Sequence, residues 1–490
     1  MRNNFLKIVF NSSLVILLVG GIGCKKEFLN DPKPASGLSE LDVYNSPEGV
    51  RSYFNGIYRY MRMQYGGAGT QAGSTDAWGI TSVQLARVVK GYDIMLPGSS
   101  WYYFDYQIDN REPTYRRVTF TWRFFYEIIN QVNNLISGVE KSTTLSDAQK
   151  KVFIAEGKAL RAICHFEIYR DYCHAYSENP NGKGIPYYLI PSDASTEGNP
   201  RGTVTETFTA ILKDLTEALP DISTTRQMKD VVNKSVVLGY LARVYLEKAD
   251  YANAAKFAID AQAGYTLDRN VYNAPFNNIE QSDVMWGFPQ SSDQTIYYGT
   301  VSSFYGGQGN GYDNFYIDTL FVHKFSPTDI RSQNFYETGE VNSSGARLLS
   351  YYKTNKFGDD INFSDHLISM RMPEMILIEA EAKIRSNDAT GHDVLFKLQS
   401  NRDPVAVKSS NTGNALINEL LLERRKELYG EFGVSFLDVK RLGLPYTRDA
   451  GHPAPNNLNL AANSPRLTLK IPQVEFDANK ALDPSTDQNP

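Results

Sequence analysis

The chain has 490 residues, of which 21% are charged, a formal net charge of −5 and three cysteines. This length is enough for two or three domains or one large body with an ample core, so folding needs no disulfide framework. The mildly acidic balance gives no general attraction for phosphate backbones and argues against a nucleic-acid partner. Tyrosine (31) outnumbers phenylalanine (25), so much of the aromatic content suits half-exposed surfaces.

Residues 1–23 have the pattern of a secretory signal. Arg2 and Lys7 precede an apolar stretch at 14–19, which is too short to span a membrane comfortably, and small residues then lead to Cys24. Gly-Ile-Gly-Cys, ending at Cys24, resembles a bacterial lipobox, with glycine where leucine is usual. We therefore expect cleavage before Cys24 and acylation of this residue, which anchors the chain to a membrane without spanning it.

The expected mature chain begins with a tether. Cleavage removes two positive charges and no acid, which takes the net charge from −5 to −7. Residues 24–39 contain Pro32 and Pro34 and read as a short spacer between lipid and protein. The folded body then covers residues 40–490.

Helical periodicity recurs along this body. Apolar residues return every three or four positions in several long segments, which is typical of helices with one buried face. The predicted helices cover residues 46–63, 118–140, 146–171, 203–219, 234–263, 373–386 and 414–430.

The segment 234–263 has the pattern of a helical hairpin. Leu238 and Leu241 lie on one face, a turn falls near residues 248–250, and Ala254 and Ala258 lie on the return face. The pattern is typical of a tetratricopeptide hairpin, although no clean 34-residue repeat is visible. A generic antiparallel helix pair explains this segment equally well.

Two stretches, residues 64–112 and 270–323, interrupt the helical pattern. Both are rich in glycine and aromatic residues, and the second contains no lysine or arginine. We interpret both as long irregular loops. The sequence therefore predicts a mainly α-helical scaffold that carries large loop insertions.

The C-terminal part carries a family signature. The run from Glu423 to Glu427, Glu-Arg-Arg-Lys-Glu, is followed by Phe-Leu-Asp-Val-Lys-Arg from Phe436 to Arg441. This combination resembles the signature of the SusD/RagB family of Bacteroidetes outer-membrane nutrient-uptake lipoproteins. Further segments agree with the family in their order along the chain: 122–130, 155–162, 328–331, 371–382 and 471–473.

The resemblance implies a mainly α-helical fold built on tetratricopeptide-like helix pairs. It also implies a lipid anchor at the cell surface, in the outer membrane, and a lid-like role over a SusC-like TonB-dependent transporter. Members of the family bind oligosaccharides or, in the RagB branch, peptides, and they are not enzymes.

The resemblance places the ligand site in the two loop regions. There, rings would stack on the sugar faces and flanking polar groups would bond the hydroxyls. The residues implied are Trp101 and Tyr103 as stacking rings, Asp76 and Arg87 as polar contacts, and Tyr297 or Tyr298, with Tyr305, as the closing aromatic side.

Other chemistries have weaker support in the residues. Cys164 and Cys173 are nine positions apart on one predicted helix and face opposite sides, which argues against a disulfide and against a metal site built with the adjacent histidines. The glycine run at 307–311 lacks the lysine and helix of a phosphate loop. We expect no cofactor and no metal.

A glycosidase needs two carboxylates at a set separation, and the first loop region offers Asp76, Asp105, Asp109 and Glu112. The run Glu423 to Glu427 is explained by pairing on a helix surface, as between Glu423 and Lys426, or by structural ion pairs. Our expectation is capture of a neutral oligosaccharide and its delivery to the transporter. The alternatives are a peptide-binding subunit, a glycosidase, and a structural lid without ligand affinity.

Overall fold

The computed structural model describes residues 43–67, 74–272, 276, 278–291, 294, 296–305, 311–338, 351–358, 362–448, 451–452 and 457–490. The predicted signal at 1–23, Cys24 and the tether at 24–39 lie outside these residues, as does most of the glycine run at 307–311. Over the described ranges, no helix is both long enough and apolar enough to cross a membrane.

Helices dominate the described residues. Those of eight or more residues are α1 (Pro47–Met61), α2 (Gly79–Val89), α3 (Arg116–Lys141), α4 (Asp147–Tyr172), α5 (Val204–Ala218), α6 (Lys234–Glu247), α7 (Tyr251–Ala261), α8 (Met372–Arg385), α9 (Thr390–Arg402), α10 (Gly413–Leu428) and α11 (Val434–Arg441).

Short elements connect them. The short α-helices are Tyr103–Tyr106, Arg269–Tyr272, Val301–Tyr305, Thr319–Val322, Gln473–Ala478 and Pro484–Asp487, and the 3₁₀ turns are Thr75–Ala77, Tyr297–Gly299, Ile330–Asn334 and Pro465–Leu467. The strands are β1 (Ile94–Met95), β2 (Val284–Phe288), β3 (Tyr316–Ile317), β4 (Phe335–Glu337), β5 (Tyr352–Thr354), β6 (Leu367–Arg371), β7 (Tyr446–Thr447) and β8 (Asn459–Leu460).

The long helices pack as successive neighbours. Helix α3 packs on α4 and α4 on α5, and the same holds for α6 on α7, α7 on α8 and α8 on α9. Capping boxes begin α4 and α5. The Ser146 and Thr203 side chains accept from the backbone N–H groups of Gln149 and Glu206, whose side chains accept in return from the backbone N–H groups of Ser146 and Thr203. This tetratricopeptide-like scaffold of helix pairs confirms the predicted fold class.

Every predicted helix is present, and among the described helices of eight or more residues three were not predicted: α2, α9 and α11. Helix α2 lies inside residues 64–112, which the sequence analysis interpreted as irregular. All eleven of its residues are buried, so its sequence shows no amphipathic period from which a helix could be read.

Two small antiparallel sheets tie the loop regions to each other and to the scaffold. The larger has the strand order β1-β3-β5-β4, and Ile94 of the first loop region pairs with Ile317 of the second. The other pairs β2 with β6, with irregular register around Trp286. Strands β7 and β8 form a separate antiparallel pair. Residues more than two hundred positions apart are therefore held side by side.

The two described cysteines, Cys164 and Cys173, are buried free thiols, as expected. Burial raises the pKa of both thiols above the ordinary value. They belong to the core between the long helices.

The charged C-terminal signature is buried in an ionic cluster. Glu427 is fully buried and accepts hydrogen bonds from Arg402 at 2.9 Å, Arg371 at 3.1 Å and Arg331 at 3.2 Å. Glu423 is also buried and lies 2.6 Å from Arg331, with Lys426 more distant at 3.8 Å. The signature therefore joins α10 to the chain around residues 331, 371 and 402 through buried ion pairs, and the predicted pair between Glu423 and Lys426 is present as well.

A glycine before α11 allows this helix to pack on α2. Gly433 has a φ of +77°, and a Cβ there would lie 2.3 Å from the Cβ of Arg87. We expect Gly433→Ala to lower the free energy of unfolding by about 2 to 4 kcal/mol, because it adds a left-handed backbone penalty to a steric clash.

Urea unfolding of Gly433→Ala and of a matched control, Gly56→Ala, measures this effect. Gly56 lies within α1 and a Cβ there meets nothing within 4 Å, so alanine is expected to stabilise by about 0.5 to 1 kcal/mol. Equal effects of the two substitutions would contradict the packing argument.

Candidate functional site

Exposed aromatic side chains gather where the two loop regions meet. We name Trp101, Tyr298, Tyr312 and Phe363 the aromatic platform. The indole Nε1 of Trp101 donates a hydrogen bond to the Tyr312 hydroxyl at 2.8 Å. The ring centroid of Tyr298 lies 5.6 Å from that of Tyr312 and 5.1 Å from that of Phe363. The four rings therefore form a continuous row from the first loop region through the second.

Much of this row faces outward. The exposed fraction is 36% for Trp101 and 52% for Tyr298, while Tyr312 and Phe363 are half-buried. Exposed rings of this size are costly in water unless they serve binding, and several together form an apolar surface that also carries hydroxyl groups.

Buried residues hold the platform in place. The Tyr312 ring stacks on buried Phe304 with centroids 5.3 Å apart, and its hydroxyl lies 2.9 Å from the Thr75 hydroxyl. Gly299 lies against Trp78, because a Cβ at this position would be only 2.6 Å from the Trp78 Cγ. The turn Tyr297–Gly299 can thus lie directly on the first loop region.

One arginine provides a polar group beside Trp101. The guanidinium carbon of Arg116 lies 5.7 Å from the Trp101 ring centroid, and its Nη2 bonds the Asp76 carboxylate at 3.0 Å. Beneath it, Arg117 Nε donates to Asp105 at 3.1 Å. Burial raises the pKa of Asp105, although the Arg117 charge opposes that shift. The edge of the platform is therefore a nearly neutral array of paired charges.

Three of the residues predicted for the site lie in its exposed part. Trp101 and Tyr298 belong to the platform. Tyr297, adjacent to Tyr298, is 61% exposed and has a φ of +46°. Tyr103 is half-buried, and its ring lies 6.1 Å from that of Phe104 and packs on the hydrophobic cluster beneath.

Burial changes the interpretation of Asp76. Its carboxylate is 3% exposed and is held by Arg116, with Arg117 Nη2 3.9 Å away. Asp76 therefore positions Arg116 beside the platform, and Arg116 presents the accessible polar group.

The structure places Arg87 and Tyr305, both predicted to contact the ligand, inside the protein. Arg87 is 3% exposed, and its guanidinium bonds Asp171 at 2.8 Å and also Glu167. Tyr305 is fully buried, and its ring stacks on Phe357 with centroids 4.5 Å apart. Neither side chain is accessible from the surface, so neither is placed to contact a ligand bound on the exposed rings.

Sequence reasoning did not select Tyr312, Phe363 or Arg116. Tyr312 lies in the aromatic part of the second loop region, where composition could have indicated it. Phe363 lies outside both regions, between β5 and β6, and Arg116 is the first residue of α3. Only the tertiary packing brings these two to the platform.

The platform is an open surface, and at least two concave features lie elsewhere among the described residues. One is a cavity of about 210 Å³ lined by residues that include Tyr126, Tyr188 and Glu475. The other is a groove of about 850 Å³ near the end of α5 and the start of α6. The platform can therefore bind an extended ligand along its rings more readily than enclose a small one.

Asp76 and Asp105, two of the carboxylates considered for a glycosidase, are buried and bonded to arginines. Among the residues with a described position, no three His, Cys, Asp or Glu side chains form a group that could hold a metal ion. What the arrangement offers is non-covalent binding by stacking.

Two family models match the chain. Residues 84–246 match a SusD-like family described as starch-binding and associating with the outer membrane, and residues 293–484 match the SusD family. SusD-like protein P2 of Formosa agariphila is 22% identical over 544 aligned positions, which cover 96% of this chain and 95% of the relative.

Solved structures of the same superfamily share the fold. A SusD-like carbohydrate-binding protein from Bacteroides vulgatus superposes with a TM-score of 0.81 at 23% identity, over 89% of this chain and 97% of the other. Surface glycan-binding protein A from Bacteroides thetaiotaomicron superposes with a TM-score of 0.68 at 15% identity, over 91% of this chain and 99% of the other. At such identities the likeness establishes the architecture alone.

Proposed function

Because the chain belongs to the SusD/RagB family, we propose that it is a surface-exposed lipoprotein that captures oligosaccharides and delivers them to a SusC-like TonB-dependent transporter. The observation that carries this proposal is the aromatic platform, in which Trp101, Tyr312, Tyr298 and Phe363 form one accessible row. Sugar rings present C–H faces that pack on aromatic rings, while their hydroxyls bond the polar groups at the edge.

The ligand we favour is a neutral oligosaccharide. Arg116 at the edge is paired with Asp76, so little net charge faces the platform. Residues 270–323 contain no lysine or arginine that would attract an acidic sugar. An open row of rings suits several sugar units in a chain better than a single monosaccharide. The glycan-binding names of two structural relatives support a glycan over a peptide.

The proposed location follows from Cys24. Acylation at this residue would hold the body close to the outer membrane through the tether at 24–39. A tethered lid stays near its transporter, so the effective concentration of bound ligand at the pore is raised without any additional contact. We propose binding and handover without chemical conversion of the ligand.

The test compares glycans with peptides on the same protein. The chain from residue 24 onward, carrying Cys24→Ser so that no lipid is attached, is applied to a glycan array and to a peptide library. We expect binding to neutral oligosaccharides that calorimetry reproduces, without release of reducing sugar.

Two other results of this test would contradict the proposal. Binding of peptides alone would replace the proposal with a peptide-uptake role, and release of reducing sugar would establish an enzyme. Delivery is tested separately by co-purification of a TonB-dependent transporter with the lipid-anchored chain from native membranes. Its absence there would contradict the partner.

A further inference from the structure

The helical scaffold carries a second surface of different chemistry. A groove of about 850 Å³ lies at the end of α5, the start of α6 and the end of α7, and we name it the basic groove. Aliphatic and cationic side chains make up nearly half of its lining residues: Leu219, Leu238, Ile259, Arg226, Lys229 and Lys234. Its volume is within the range of sites that hold a ligand of several residues or a drug-sized molecule.

Among the described residues, no carboxylate forms an ion pair with the cations of the basic groove, although Asp230, Glu280 and Asp283 are near enough to act on them electrostatically. Arg226 donates to the backbone carbonyls of Val231 at 3.0 Å and Lys229 at 3.2 Å, and the Lys229 ammonium donates to the carbonyl of Val284 at 2.7 Å. Within the described part of the chain, neither of these side chains, nor that of Lys234, lies within 4 Å of an Asp or Glu oxygen in an ion pair. Burial lowers the pKa of both Arg226 and Lys229.

Among the charged residues that line the groove, the three cations Arg226, Lys229 and Lys234 outnumber the single carboxylate, Asp260. Asp260 lines the groove, but its carboxylate is paired with Lys256 at 2.8 Å. Helix α6 begins in the groove at Lys234, after the N-cap Asn233, so the positive end of its dipole adds to the side-chain charges. The whole chain has a net charge of −5, and a positive cleft on an acidic protein concentrates anionic partners at that cleft.

The walls of the groove favour a peptide over a sugar. Tyr265 is the aromatic side chain among its described lining residues, but Lys229 Nζ lies 5.8 Å over that ring and the hydroxyl is bonded to Ser235 at 2.8 Å. The remaining apolar surface is aliphatic and includes Ile259, which is 45% exposed. Aliphatic walls match leucine-like side chains, and the cations match carboxylates.

We propose that the basic groove is the docking site for an acidic segment of a partner protein, in which carboxylate and aliphatic side chains alternate. Charge complementarity selects the segment, and burial of its aliphatic side chains on Leu219 and Ile259 holds it. The basic groove is separate from the aromatic platform, so this proposal does not depend on whether the platform binds glycans.

The probe is a fluorescein-labelled nonapeptide of alternating glutamate and leucine, titrated by fluorescence anisotropy against the chain carrying Cys24→Ser. We expect saturable binding that weakens as NaCl is raised from 50 to 300 mM, because the attraction is between partly exposed charges. Lys234→Glu is expected to weaken binding at least tenfold. Glutamate at the first turn of a helix is compatible with the helix dipole, so this variant is expected to remain folded.

The matched control is Lys213→Glu, the same charge reversal on the exposed face of α5 outside the groove, which is expected to leave affinity within twofold. Equal weakening by both variants would overturn the site. A leucine–glutamine nonapeptide that binds as tightly would overturn the role of the carboxylates, and an oligogalacturonate that binds where the acidic peptide does not would replace the peptide with an acidic glycan.

The chain's own tether is the remaining possible occupant. Residues 27–29 read Glu-Phe-Leu, which combine a carboxylate with apolar side chains. Replacement of these three residues by serine is expected to leave peptide affinity unchanged. A rise of tenfold or more would show that the tether fills the groove, and would overturn docking of a separate partner.

Discussion

Trp101→Ala is expected to weaken oligosaccharide binding by about 2 kcal/mol, which is about thirtyfold in Kd. Trp101 has the largest ring of the aromatic platform and stands at its start, beside Arg116. Its loss removes a stacking face and also leaves the Tyr312 hydroxyl without the 2.8 Å hydrogen bond from the indole. Calorimetric titration with the best oligosaccharide from the glycan array measures the change.

A matched control separates stacking from a general loss of aromatic surface. Phe257 on α7 stacks on Tyr245 with centroids 5.5 Å apart, away from both loop regions. Phe257→Ala is expected to leave affinity within twofold. Tyr312→Phe keeps the ring and removes the hydroxyl bonds to Trp101 and Thr75, so an intermediate loss is expected. Unchanged binding by Trp101→Ala would show that the platform is not the ligand site.

Glu427→Gln is expected to lower the free energy of unfolding by about 3 to 5 kcal/mol. The carboxylate of Glu427 is fully buried and accepts hydrogen bonds from Arg331, Arg371 and Arg402. Without its charge, the positive charges of three buried guanidinium groups lose a shared partner. The glutamine amide fills the same space, but its NH₂ group is a hydrogen-bond donor that faces the N–H donors of the guanidinium groups. Urea unfolding followed by circular dichroism measures the change.

The pH dependence gives a second readout for Glu427. Burial by itself would raise the pKa of this carboxyl, but Arg402 and Arg371 outweigh burial and hold the pKa well below its ordinary value. A carboxyl with a depressed folded pKa stabilises the protein above its unfolded pKa, about 4.3, and that contribution is lost as the pH falls toward the folded value. The stability gap between the native chain and Glu427→Gln is therefore expected to be full at pH 7 and to shrink below about pH 4.

The control for this cluster is Glu217→Gln on α5. Glu217 is 42% exposed and pairs with Lys158 at 2.8 Å. Exposed pairs contribute at most about 1 kcal/mol, so a small effect is expected. A loss for Glu427→Gln no larger than for Glu217→Gln would contradict the role of the buried cluster.

The helical scaffold was predictable because its signals are local. In α3, Phe124, Ile128, Val132 and Leu135 recur at helical spacing, and all four are buried. A stripe of this kind indicates which face of a helix is buried, whichever element packs against that face. Helix α2 lacks such a stripe because it is buried on every side, and it was missed for that reason.

The site was predictable only as a region. Tyr298 and Tyr305 lie seven positions apart in one stretch rich in glycine and aromatic residues, yet Tyr298 is 52% exposed and Tyr305 is fully buried. Composition cannot separate them, because the burial of Tyr305 depends on Phe357, far along the chain. In the same way, the two carboxylates that accept hydrogen bonds from Arg87 are 80 or more positions away from it in the sequence.

The amino-acid sequence by itself thus determined most of the long helices, the position of the two glycine- and aromatic-rich regions and the family resemblance, through periodicity, composition and the order of its motifs. The tertiary structure alone decided which rings face water, which charges pair inside, and that Arg116 and Phe363 join Trp101 and Tyr298. The physical reason is that periodicity records the burial of one face of one element, whereas exposure and pairing depend on residues that only folding brings together.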